Sequence, residues 1–164
     1  MKDLKPVSVA SIATVVVAAC VVLGLGRVFS VLGPWYFSLE KPAWQPPGFV
    51  FPIVWTTLYI LIATSAAMAW RTVHTKADGA KLIGLFVLNC VLNVMWSAIF
   101  FTLHRPDWAL YQNFVFWGSI LALILYIWPR HRVAAYLLLP YLLWVTIAIT
   151  LNFEVVRLNG PFGG

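Results

Sequence analysis

Five apolar stretches leave this 164-residue chain few folds to choose from. Each is close to the roughly 20 residues that an α-helix needs to cross a bilayer. They cover approximately Val7–Gly26, Phe49–Trp70, Leu82–Leu103, Trp108–Trp128 and Val133–Val156, and only the last holds a charge, Glu154, near its end. Backbone in lipid must satisfy its own hydrogen bonds, and a closed barrel needs short alternating strands. These long runs do not alternate, so the expected fold is an all-α membrane protein. It is a five-transmembrane-helix bundle that forms one domain over residues 1–164. Composition agrees, because only 10% of the residues are charged where a soluble domain carries about 25%. The net charge of +6 does not indicate nucleic acid, since no run of Lys or Arg concentrates on one face.

The charges fall between the apolar runs. Lys2, Lys5, Arg71, Lys76, Lys81, Arg130 and Arg132 share the N-terminal side, against Arg27, Lys41, Arg105 and Arg157 on the other. Seven against four predicts a cytoplasmic N-terminus. Connections near Arg71–Lys81, His104–Asp107 and Pro129–Arg132 are short, which makes sequential helices antiparallel neighbours. Val17-Ala18-Ala19-Cys20 resembles a lipoprotein cleavage site, but the apolar run continues beyond Cys20 to spanning length, which favours a retained helix. Cys20 and Cys90 lack metal-ligand spacing and read as small buried hydrophobes. Ala10, Thr14 and Ala18 space small residues for close helix approach.

The stretch Trp35–Tyr59, WYFSLEKPAWQPPGFVFPIVWTTLY, holds three tryptophans, two tyrosines and four prolines. Pro42, Pro46 and Pro47 lack an amide donor and bias their predecessors away from helix. The first half is therefore expected to be a stiff aromatic loop without regular helix. It leads into a helix that carries Trp55 and Tyr59 on one face. Together they suggest the lid and wall of a pocket.

Polar residues inside the apolar runs supply further candidates. Asn89, Asn93, Trp96 and Phe100 share a face of the third helix. Each asparagine either bonds a neighbouring helix or serves a ligand. On the fourth helix, Trp108, Gln112, Val115, Ser119, Ala122 and Tyr126 form the expected inward seam, with Trp117 towards lipid. The last helix carries a stripe of Tyr141, Trp144, Ala148, Leu151 and Val155, where Ala148 leaves room beside Trp144. Asn152 and Glu154 follow, and Glu154 is placed to pair with Arg157 or Arg27. Pro140 is expected to kink this helix. His74, His104 and His131 lie in connections without a second ligand at helical spacing. No acid sits mid-membrane and no nucleophile–base pair is evident. The first removes the usual mark of a proton-coupled carrier, and the second argues against a hydrolase.

These motifs resemble the TspO/MBR family of tryptophan-rich sensory proteins and translocator proteins, known also as peripheral benzodiazepine receptors. The resemblance covers Trp35 to Asn159. WYFSLEKPAWQPP, VFPIVWTTLY, LNVMWSAIFF and LPYLLWVTIAITLNFEVVRLN carry it. It implies a five-helix bundle, commonly a homodimer, that binds a porphyrin (protoporphyrin or heme). Sterol-like lipid and benzodiazepine-type drugs are the further ligands it implies. Carried over by position, the ligand-binding residues are Trp44, Trp55, Tyr59, Asn93, Trp96, Trp144, Ala148 and Leu151. Trp108 also matches a family tryptophan. Phe153 stands where animal members have a tyrosine in their cholesterol-recognition stretch, which counts against sterol. A looser match to that pattern occurs at Leu123, Tyr126 and Arg130. Gln112 replaces an aspartate of some members.

Three activities are compatible with such a pocket. One is a ligand-binding sensor or regulator of tetrapyrrole metabolism and stress. Another is a transporter of porphyrin or lipid, although no inverted repeat is evident. The third is light-dependent porphyrin degradation through Trp44, Trp55 or Trp144. Porphyrin carboxylates would meet Lys41 or Arg27 near the loop.

Overall fold

The computed structural model describes residues 32–162. The first apolar run lies outside them, together with Cys20, the Ala10–Thr14–Ala18 spacing, Lys2, Lys5 and Arg27. Among the described residues there are no strands, and four helices are long and apolar enough to cross a membrane.

A single helical turn, α1 (Pro34–Ser38), opens the described chain, followed by α2 (Val50–Trp70). The helical turn corrects the expectation of a wholly non-helical loop. Pro34 occupies its first position, where a missing amide costs nothing. The irregular segment is Leu39–Phe49, the part that contains Pro42, Pro46 and Pro47.

Helix α3 (Lys76–Ser97) begins six residues before the apolar run. Thr75 caps it, accepting from the Asp78 amide at 3.0 Å and donating its hydroxyl to the Asp78 carboxylate at 2.8 Å. The cap decides where a helix starts, while hydropathy decides only where lipid begins. The helix passes into a π-helical segment, Ala98–Thr102, and stops at His104, whose φ is +53°. Pro106 then opens α4 (Pro106–Ile127).

Helix α4 is the core of the bundle. Ten of its residues are buried, against three on α2. The buried face is Ala109, Gln112, Asn113, Phe116, Ser119, Ile120, Leu123 and Ile127. The expected seam was rotated from this. Gln112 and Ser119 are buried, but Trp108 is exposed and Val115 is 61% exposed. Trp117 is half-buried and donates its indole N–H to the Thr146 hydroxyl at 2.9 Å, so it is not simply lipid-facing.

The last apolar run divides at Leu137–Leu138 into a short α5 (Arg132–Tyr136) and α6 (Leu139–Asn159). Pro140 lies in the first turn of α6. It could not donate to the Tyr136 carbonyl had one helix continued, so the expected kink is a break. A Ser65 hydroxyl donates to the Ala134 carbonyl at 2.7 Å and ties α2 to α5. Glu154 and Arg157 form the expected pair, at 2.7 Å.

Asn89 is a structural amide. It donates to the Ser119 hydroxyl at 2.8 Å and accepts from the Tyr141 hydroxyl at 3.1 Å, joining α3, α4 and α6. Asn89→Ala is expected to lower stability by about 2 kcal/mol, because a buried phenol loses its acceptor. Denaturant unfolding in detergent measures this. A loss no greater than that of the outward-facing Leu143→Ala would show that the amide adds nothing beyond packing.

Candidate functional site

Between α2, the π-ended α3, α4 and α6, beneath the aromatic loop, lies a cavity of about 570 Å³. That is within the range of about 300–1,000 Å³ found for small-molecule sites. The wall is aromatic on three sides. Trp55 and Tyr59, one turn apart on α2, stack with centroids 5.5 Å apart, and Trp55 meets the edge of Tyr141 at 6.2 Å. Phe51 meets Trp144 edge-on at 5.8 Å. Trp96 packs against Phe100 and Phe101 at 5.3 and 5.9 Å. The π-helical segment puts Phe100 and Phe101 both on the cavity wall.

Seven of the eight candidates line this one space: Trp55, Tyr59, Asn93, Trp96, Trp144, Ala148 and Leu151. The Tyr59 hydroxyl points to Asn93 Oδ1 at a long 3.4 Å. Trp44 is the exception. It is 51% exposed and does not line the cavity. The Gln45 amide donates to the Pro42 carbonyl at 2.9 Å, closing a turn with Ala43 and Trp44 at its corner. Both corner residues are exposed. Loop residues that do reach the cavity include Leu39, Lys41, Gln45 and Pro46.

Two devices hold the loop down. The Asn159 side chain accepts from the Glu40 amide at 2.7 Å and donates to the Glu40 carbonyl at 2.8 Å and to the Val155 carbonyl at 2.9 Å. It acts as a strand partner for one residue. Leu39 is buried against Phe100, Ala109 and Val155. The Lys41 ammonium donates to the Tyr36 and Leu39 carbonyls at 2.7 and 2.9 Å and lies 4.6 Å from the Tyr36 ring centre. Two of its three hydrogens thus serve the loop itself. Burial raises the Tyr36 phenol above its ordinary pKa, with a smaller opposing effect from Gln45, so it stays a neutral group.

Residues missed in the sequence include Tyr36, Phe51, Asn113 and Phe116, all on the cavity wall. Asn113 had a signal, as an amide within an apolar run, but it was hidden by the misassigned face of α4. Among the described residues no group of three His, Cys, Asp or Glu side chains is placed to hold a metal.

Comparison with known proteins adds an independent line. The TspO/MBR family model matches residues 12–158. Protein CrtK of Rhodobacter capsulatus is 37% identical over 142 residues, covering 86% of this chain and 88% of that protein. The tryptophan-rich sensory protein of Cereibacter sphaeroides is 36% identical over 125 residues, covering 76% and 77%. The human translocator protein is 34% identical over 131 residues, covering 79% and 78%.

Proposed function

This chain belongs to the TspO/MBR family, and from that premise we propose that it is a membrane sensor that binds flat apolar tetrapyrroles in the cavity between its helices. Ligand occupancy would then regulate tetrapyrrole metabolism or a stress response. One observation carries the reading. Trp55, Trp96 and Trp144, from three different helices, face the same ligand-sized space.

The physical basis is burial of a flat apolar ring system against indole and phenol faces. About 200 Å² of apolar ligand surface removed from water contributes on the order of 5 kcal/mol before association costs. Tyr59 and Asn93 supply polar contacts that fix orientation. Lys41 retains one free hydrogen at the loop for a ligand carboxylate. Trp44 is left out of the binding set because it lies outside the wall.

Titration of purified protein with protoporphyrin, followed by tryptophan fluorescence, tests the reading. Saturable quenching is expected in the wild type. The Trp144→Phe variant is expected to quench less at saturation, since one wall indole is gone. Equal quenching would remove Trp144 from the contact set. Running the titration in light and dark separates a sensor from a photochemical enzyme. A porphyrin spectrum that survives illumination supports binding alone.

A further inference from the structure

Within the cavity wall lies a layer of polar atoms without partners. Trp96 Nε1, Asn113 Nδ2 and both amide atoms of Asn152 are buried and make no hydrogen bond. Asn113 and Asn152 are 1% and 2% exposed. The three residues stand at one level. Phe100, Ala109 and Val155 pack together under the loop. Trp96 is four residues before Phe100, Asn113 is four after Ala109, and Asn152 is three before Val155, so each is one helical turn further in. All three line the cavity. Behind them Gln112 donates Nε2 to the Leu92 carbonyl at 2.7 Å and leaves Oε1 unpaired.

Unpaired amides are costly within an apolar bundle, and a membrane interior offers no bulk water to satisfy them. We propose that Trp96, Asn113 and Asn152 form a hydrogen-bonding subsite for a neutral carbonyl oxygen of the bound ligand. The inference rests on the reading of the cavity as a ligand pocket. The inventory sets the chemistry. The unpaired buried atoms of the layer are three donors, Trp96 Nε1, Asn113 Nδ2 and Asn152 Nδ2, and one acceptor, Asn152 Oδ1. The layer therefore takes an acceptor. Charge selects a neutral one. Lys41 is the only cation lining the cavity among the described residues, and its ammonium holds loop carbonyls. A carboxylate in this layer would be buried without a counter-charge. An ester, an amide or a protonated acid carries no such cost. The terminal torsion of asparagine is soft, so a small rotation turns either amide from behind the wall onto the ligand.

The test uses full-length protein with two porphyrins, protoporphyrin dimethyl ester and the all-alkyl etioporphyrin. Infrared difference spectra read the ester carbonyl directly, clear of the protein amide band. In the wild type the ester band is expected below its position in apolar solvent. Asn113→Leu and Asn152→Leu are expected to return it towards that position and to weaken the ester at least tenfold more than they weaken etioporphyrin. An unshifted ester band in the wild type overturns the proposal, and points to water alone satisfying the layer. So does an equal loss for both porphyrins. If a leucine variant fails to fold, the wild-type band position still decides. Failure of both porphyrins to bind the wild type overturns the pocket reading itself, and the subsite with it.

Discussion

Ala148→Phe is expected to weaken protoporphyrin at least tenfold, about 1.4 kcal/mol, while leaving helix content and unfolding unchanged. Ala148 lines the cavity on α6, one turn from Trp144 and three residues before Leu151. In the proposed pocket its methyl group would set how near a ligand plane comes to the helix. A benzyl group there occupies space the ligand needs. In a filled core the same change would strain the packing, but here the new ring enters a void. The fold is therefore spared while binding is lost. Leu143, on the same helix, is 63% exposed, and Leu143→Phe is the matched control, with no expected effect on affinity. Fluorescence titration and circular dichroism of both variants check the pair. Normal folding with unchanged affinity in Ala148→Phe would place the ligand elsewhere.

Asn159→Ala is expected to release the loop. The substitution removes all three hydrogen bonds that join Glu40 and Val155 to this side chain. At a net value of about 1 kcal/mol each, with the Val155 bond internal to the helix, loop docking loses about 2 kcal/mol. That corresponds to roughly thirtyfold faster ligand escape, if the loop must lift for the ligand to leave. The rise is expected in dissociation, with association little changed, because the pocket wall on the helices is untouched. Asn159→Asp keeps the acceptor for the Glu40 amide but not the donor to its carbonyl, and is expected to fall between the two. Hydrogen exchange at the Glu40 amide gives a readout free of ligand. Slow exchange and an unaltered off-rate in Asn159→Ala would assign the whole docking energy to Leu39 in its apolar cluster.

Much of the helix layout was legible because bilayer length and apolar content are properties of the chain alone. Val50–Trp70 begins and ends within one residue of its apolar run. Two boundaries were not legible from hydropathy. Thr75 capped α3 within polar sequence, and Pro140 divided the last run in two. The aromatic stripe on α2 and the Trp144–Ala148–Leu151 stripe on α6 were readable because large and small residues alternate at helical spacing. The same method failed on α4. A helix apolar on every side has little amphipathic contrast, so periodicity alone does not separate the face with Val115 from the one with Asn113.

By itself, then, the sequence determined the class of fold, the four described helices that are long and apolar enough to cross a membrane, and the aromatic residues from which a pocket can be built. Those follow from local composition and from periodicity along single helices. Only the tertiary structure decided which side of α4 turns inward, that Trp44 stands at the corner of a turn outside the cavity, and that Asn113 and Asn152 join Trp96 in one layer. It alone showed that Asn159 holds Glu40, 119 residues away in sequence. The physical reason is common to all four. Each depends on how separate segments are rotated and brought together, and no single segment carries that information in its own pattern.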